Sequence, residues 1–309
     1  MFQLGISPRT SALGNASGVL VEDGTAFLAN PANLAYVTET EFRGMYISQF
    51  GLADFNTLAI TAPVSVNTVM SINWLRLSVD DIPLRPNLNN LTLLAQRDSA
   101  RVLQENGLGT FQDREDAVFI SLAQMYRWDL DLGFRYFKLP VETPIGVNVK
   151  YLNREIHTVK GSGIGLDVSA AIKFSLSELL DVDWMGKLGN GLMIQDVTGT
   201  PVSWNTRSQD VMRPAILWSA SYEQPIAWEE SQLNFVYTRS TRYELGTGYG
   251  IEFIYRDVLG LQLGHARNQL TGGLSFHTLL YDFPLSIEYA FGSHNLGNTH
   301  RLGLSLSLK

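Results

Sequence analysis

Residues 162–174 read SGIGLDVSAAIKF, and the alternation within them decides the fold. Ile164, Leu166, Val168, Ala170, Ile172 and Phe174 occupy every second position, with Gly163, Gly165, Asp167, Ser169 and Lys173 between them. A period of two belongs to the β-strand, where successive side chains point to opposite faces. One face is therefore apolar, and the other is small, polar or charged.

The same design recurs downstream. Residues 246–257 set Thr247, Tyr249, Ile251, Phe253 and Tyr255 against Gly246, Gly248, Gly250, Glu252 and Arg256. The final stretch sets Leu302, Leu304, Leu306 and Leu308 against Arg301, Gly303, Ser305, Ser307 and Lys309. A β-sandwich alternates too, so length must discriminate. Several runs span about 11–13 residues, whereas strands in globular sheets usually have about 5–6. At roughly 3.3 Å per residue and a tilt near 40°, such strands cross the apolar band of about 25 Å in an outer membrane. Gly, Ser and isolated charges on the second face suit a wet or narrow lumen.

The pattern predicts an all-β transmembrane antiparallel β-barrel of about fourteen strands. They are expected at 41–50, 54–64, 66–78, 116–127, 143–157, 162–174, 186–197, 213–224, 232–241, 246–257, 259–268, 270–280, 284–293 and 299–308. DLGFRYFKL, within 128–142, could add strand. An even count puts both chain ends on one side, taken as periplasmic, with loops 79–115, 198–212 and 294–298 among the extracellular ones. The loop 79–115 is the longest, and LTLLAQRDSARVLQ within it could form a short amphipathic helix. Trp128, Trp184 and Trp228 fall at expected periplasmic turns or strand ends, where interfacial aromatic girdles lie.

Composition agrees. Of 309 residues, 45% are hydrophobic and 17% charged, below the usual quarter for soluble domains. No stretch approaches the roughly 18 apolar residues of a spanning helix. A net charge of −7 without a Lys/Arg cluster weighs against nucleic acid. The absence of cysteine excludes a disulfide scaffold, a Cys-ligated zinc site and a thiol nucleophile. MFQLGISPRTSALG lacks a basic region followed by an apolar one, so it reads as a mature start rather than a signal peptide.

Residues 1–38 lack alternation and are read as an N-terminal plug segment, with 39–309 as the barrel. In GTAFLANPANLAYV, the pair Asn30-Pro31 is a helix start: Asn caps well, and Pro at the first position gives up no needed hydrogen bond.

This opening resembles a known family. SALGNASGVLVEDGTAFLANPANLA (11–35) is similar to the ALG…GA…D…A…NPAGLA pattern of PorV/PorQ-type outer-membrane proteins. GVNVKYLNREIHTVKGSGIGLDVSAAIKF, LGNGLMIQDVTGTPVSW and YAFGSHNLGNTHRLGLSLSL resemble further stretches of that group, in order along the chain. The resemblance implies an FadL-like fourteen-stranded barrel with an N-terminal plug. Asn30, Pro31 and Ala32 match the element shared with FadL-type channels, and Asn33 stands where Gly is common.

No catalytic, metal or cofactor site is expected. The histidines His157, His265, His277, His294 and His300 have no metal-ligand spacing. His294, Asp80 and Asp81 are read as a solvated rim. His300 is read as a structural residue at a strand start, and Gly161 to Gly165 as a hairpin turn rather than a phosphate loop. Lumen-facing charges are expected at Lys150, Arg154, Asp167, Lys173, Glu252, Arg256, Glu288 and Arg301. They could pair across strands or with Arg9, Glu22 and Asp23 of the plug, and Glu288 and Arg301 would be diagonal neighbours.

Two functions fit. The resemblance implies a non-enzymatic accessory or cargo-binding subunit of type IX-like secretion, with outer-membrane lipid around it and another protein (translocon, cargo or surface-complex subunit) as partner. The alternative is an FadL-like channel for hydrophobic molecules with a lipid-like ligand. A channel needs apolar residues in the lumen, and the inner faces assignable by alternation are mostly Gly, Ser and charged. That tilts the expectation toward protein binding.

Overall fold

The computed structural model describes residues 5, 7–84, 92–107, 109–133, 138–228, 230–242, 246–266, 269–294 and 297–308. Parts of four stretches singled out above lie outside these: 1–4 and 6 of the N-terminus, 85–91 of the long loop, 134–137 of DLGFRYFKL, and 295–296 of the closing hairpin.

The first four strands are β1 (Thr40–Gln49), β2 (Ala53–Ser65), β3 (Thr68–Pro83) and β4 (Thr110–Gln124). A short hairpin follows, β5 (Arg127–Asp131) and β6 (Lys138–Glu142). Next come β7 (Ile145–Ile156), β8 (Val159–Ser175) and β9 (Lys187–Gln195), then a second short hairpin, β10 (Thr200–Trp204) and β11 (Gln209–Met212). The remainder is β12 (Ala215–Ile226), β13 (Ser231–Ser240), β14 (Thr247–Tyr255), β15 (Leu259–Ala266), β16 (Gln269–Leu280), β17 (Phe283–His294) and β18 (Gly297–Leu308). All pair antiparallel in a single sheet. Where the short hairpins extend their neighbours, β4 pairs directly with β7 and β9 with β12, so fourteen strands form the wall. β1 pairs with β18 from Thr40↔Leu308 to Gln49↔Thr299, closing the barrel.

Boundaries differ from expectation where backbone pairing outruns the side-chain pattern. β3 runs on to Pro83 and β4 starts at Thr110, so the long loop is 84–109 rather than 79–115. Within it α1, the helix Leu93–Asn106, covers most of LTLLAQRDSARVLQ. The loop 198–212 is largely the β10–β11 hairpin. Gly161, Gly163 and Gly165 are not a turn: they lie within β8, and the turn before it is at His157, where φ is +55°.

Each wall strand puts an apolar side chain outward. Ile60, Ile72, Ile120, Ile164, Ile251, Leu263, Leu274 and Leu304 are all between 46% and 65% exposed. A continuous belt of this kind around a closed sheet has no stable place in water, whereas lipid solvates it and the closed ladder satisfies every strand edge. The protein is an integral outer-membrane β-barrel. Trp128, Trp184 and Trp228 are exposed at the end that carries Thr40 and Leu308. The long loop lies at the opposite end, which the short-turn, long-loop asymmetry of such barrels makes extracellular.

Candidate functional site

The inner surface of the barrel and the N-terminal segment that lies against it form the site. The segment contains the short helix Pro8–Ala12, capped by the Ser7 hydroxyl on the Thr10 amide, and two 3₁₀ turns, Ala26–Leu28 and Pro31–Tyr36. Asn30 caps the second turn through the Ala32 amide at 3.2 Å, and Ser169 of β8 accepts from the same amide at 2.9 Å. Asn30, Pro31 and Ala32 are all buried. Here the backbone touches the wall: a Cβ on Gly146 of β7 would lie 2.3 Å from the Ala32 nitrogen, so only glycine fits. Asn33, in the position where Gly is usual, donates to the Val21 carbonyl at 3.0 Å and ties two turns of the segment together.

Charged and polar side chains hold the segment at three points. At the first, Arg9 places Nε and Nη2 on Glu252, each at 2.7 Å, and Arg43 of β1 reaches Asp23 at 3.3 Å and Glu288 at 2.9 Å. Glu41 accepts from the Gly24 amide at 2.7 Å. At the second, Lys173 joins Glu22 of the segment to Glu223 of β12, the latter at 2.8 Å. At the third, Asn148 donates to the Phe27 carbonyl at 2.7 Å, beside a buried cluster in which Lys150 meets Asp167 at 2.6 Å and Asp196 at 2.8 Å. Arg242 reaches Asp196 at 2.5 Å.

Within the segment these fields act in opposite senses. Burial disfavours the charged form of Asp23, but Arg43 and Arg9 overcome it and hold the carboxyl below its ordinary value. Burial pushes the Glu22 carboxyl up by more than Lys173 draws it down. A cavity of about 340 Å³, lined by Arg9, Glu22, Asp23, Arg43, Glu223 and His277 among others, opens beside these groups.

Of the charges singled out by alternation, Lys150, Asp167, Lys173, Glu252, Glu288 and Arg301 are buried on the inner face, and Arg154 meets Glu115 at 3.4 Å further toward the long-loop end. Two expectations need correction. Arg256 is not in the lumen: β14 ends at Tyr255, and Arg256 is an exposed turn residue at φ +49° with its guanidinium over the Tyr255 ring. Alternation no longer applies once a strand turns. Glu288 and Arg301 are diagonal in register, yet Glu288 is taken by Arg43 and by the Arg9 amide. Glu41, Arg43, Glu223, Asp196 and Arg242 were not singled out. Glu41 and Arg43 share one face of β1 and were readable; Asp196 sits past the end of β9 at φ +53°, where no periodic signal exists.

The third correction concerns the lumen's chemistry. The inner face of β1–β4 and β7 is apolar toward the long-loop end. Ile47, Phe55, Leu75, Phe119 and Leu152 are each no more than 2% exposed, and Leu77 and Trp204 pack at their margin. Phe27 and Leu34 of the N-terminal segment complete the cluster, with the Phe27 and Phe119 rings 5.1 Å apart. Polar groups line the rest of the inner face, Ser71, Asn73, Ser121, Asn148 and Lys150 of β3, β4 and β7 among them, so the expectation of a mostly polar lumen holds outside this patch.

No family model matches the chain, and no curated protein matches it in sequence. Solved structures do match in fold. A deltaS2S3 mutant of TodX, described as a monoaromatic hydrocarbon channel, is similar with a TM-score of 0.53 at 11% identity, covering 98% of both chains. CymD, also described as a monoaromatic hydrocarbon channel, has a TM-score of 0.52 at 9% identity, covering 98% of this chain and 97% of its own. A Pseudomonas aeruginosa FadL homologue has a TM-score of 0.47 at 8% identity, with 97% of each chain covered. At these identities the likeness is one of fold alone: a closed outer-membrane β-barrel. No comparison supports the narrower resemblance to PorV/PorQ-type proteins or a part in type IX secretion.

Proposed function

We propose that this barrel is a non-enzymatic channel for hydrophobic small molecules, with residues 1–38 as its internal plug and 39–309 as its wall. The observation that carries the reading is the apolar inner surface of β1–β4 and β7. A water-filled porin lumen is polar, and burying Ile47, Phe55, Leu75 and Phe119 inside a barrel gives a nonpolar solute a surface it prefers to water. The hydrocarbon channels of similar fold support this reading over a secretion subunit. A hydrophobic or lipid-like solute is then the ligand, and passage requires the plug to shift.

Uptake tests this directly. Cells producing the barrel should accumulate radiolabelled toluene several-fold faster than empty-vector cells, with no gain for radiolabelled sucrose. Equal toluene rates would remove the channel reading; faster sucrose entry would replace it with an open pore.

A further inference from the structure

The apolar inner surface ends, toward the long-loop side, under the β10–β11 hairpin. Val202 of β10 is wholly buried in the cluster that contains Phe119 and Leu152, and Trp204 and Met212 pack at its edge. On the opposite face Pro201, Ser203, Gln209, Asp210 and Val211 are exposed. One side of the hairpin thus lies on the surface a nonpolar solute would use, and the other meets extracellular water. Trp204 Nε1 donates to Asp210 of β11 at 2.8 Å, so the ring travels with the hairpin.

The wall beneath is shaped to receive it. Three alternate positions on the inner face of β8 are glycine, and the hairpin fills the space their side chains would take. A Cβ on Gly161 would lie 2.7 Å from the Trp204 ring, one on Gly163 would meet the Pro201 carbonyl, and one on Gly165 would meet the Thr200 hydroxyl. The attachment itself is short. β10 joins β8 through three register pairs, whereas β9 joins β8 through eight. Elements held by little pairing open at a lower cost than the sheet as a whole. The root of the hairpin is a turn with two left-handed residues, Asp196 at φ +53° and Gly199 at φ +70°. One side chain secures that root: Asp196 accepts from Thr200 at the base of β10, and it meets Lys150 of β7 at 2.8 Å and Arg242, in the loop after β13, at 2.5 Å.

We propose that the β10–β11 hairpin is the extracellular door of the barrel. It swings about Asp196 to Gly199, Trp204 is the part that seals against β8, and the Asp196–Arg242 pair is the latch. Its outward movement uncovers Phe119 and Leu152 to solutes from the medium. The door rests on the channel reading and adds to it the place of entry.

A disulfide tests it. The chain has no cysteine, so an introduced pair is the single thiol couple. Gly161 and Trp204 face each other in register, and the Asn205 amide donates to the Lys160 carbonyl at 2.9 Å, which makes theirs a non-hydrogen-bonded pair. Cα atoms in such a pair are about 4.5 Å apart, within disulfide reach. Cells producing Gly161→Cys with Trp204→Cys, once oxidised, should take up radiolabelled toluene at the empty-vector rate. Reduction with a phosphine should restore at least the wild-type rate. Failure of the pair to crosslink shows that the hairpin does not lie on β8 and overturns the door. Equal rates before and after reduction, both above empty vector, also overturn it and leave the channel reading intact. Where the reduced pair stays inactive although wild type transports, Arg242→Gln decides. Uptake several-fold faster than wild type supports the latch, and an unchanged or slower rate overturns the door. No uptake by wild type removes the channel reading and the door with it.

Discussion

Arg9 and Glu252 meet through two parallel hydrogen bonds of 2.7 Å, joining a five-residue helix near the start of the chain to the inner face of β14. Glu252 is further fixed by Asn234 and Gln262, each donating at 3.1 Å. The carboxylate is thus pre-oriented, and the guanidinium arriving from the segment needs only to dock.

Breaking one partner of such a buried pair costs about 3–5 kcal/mol, because the other charge is left without compensation. Glu252→Gln should therefore free the N-terminal segment for cleavage in limited proteolysis while the barrel stays resistant. Replacing both partners, Arg9→Met with Glu252→Leu, should restore much of the protection. Identical cleavage of wild type and Glu252→Gln would show that the pair does not hold the segment.

Gly146 offers a purely steric counterpart. Gly146→Val fills the space where the Ala32 backbone now lies, so either segment or strand must move, at a cost of about 1–3 kcal/mol. The expected readout is faster proteolysis between Asn30 and Val37, with an unchanged shift between folded and heated forms on a gel. A fully protected segment would refute the contact.

The two carboxylates of the segment set a pH window. Asp23 has a depressed value in the folded state, so its stabilisation is complete above the ordinary carboxylate value of about 3.9 and is lost as pH falls through the depressed one. Glu22 has a raised value, so its contribution is present at low pH and is lost as pH rises through the raised value. Protection of the segment should therefore be greatest in mildly acidic buffer and decline on both sides. Asp23→Asn should flatten the acid limb and Glu22→Gln the alkaline one. A profile that rises steadily to neutral pH in wild type would contradict the assignment.

Outer-wall position can be checked by charge. Ile251 points outward near the middle of β14, and Arg there should cost about 2–4 kcal/mol in urea unfolding from vesicles. Ser162, exposed near the long-loop end of β8, should accept Arg for about 0–1 kcal/mol. Similar costs at both sites would mean that the belt is not where the lipid is.

The inner wall has its own test. Leu75→Asn with Leu77→Asn keeps shape approximately while removing apolar surface from the inner face of β3. Toluene uptake should fall several-fold with barrel yield unchanged; an undiminished rate would separate transport from this surface.

The wall was legible because most strands are two-faced. In β8 and β14 the outer face is Ile, Leu or Tyr and the inner one Gly, Ser or acid, so a period of two survives in the letters. β1–β4 hide their chemistry for the opposite reason: Ile47 and Phe55 point in while Tyr46 and Leu58 point out, and a strand apolar on both sides carries no readable alternation. That concealed the apolar inner surface and tilted the functional expectation toward protein binding. Partners were harder still. Glu41, Arg43 and Glu223 come together with Arg9, Glu22 and Asp23 only because the sheet closes on itself, which no local pattern encodes. Asp196 depends on a left-handed residue after β9, a conformation that Asp tolerates but does not announce.

The seam between β1 and β18 joins residues 40–49 to residues 299–308. The segment enclosed within it precedes β1 in the chain and is gripped from both flanks of that seam, by Glu41 and Arg43 on one side and by Glu288 on the other. Parting β1 from β18 would therefore undo two things at once, the circle of backbone pairing and the grip on the segment.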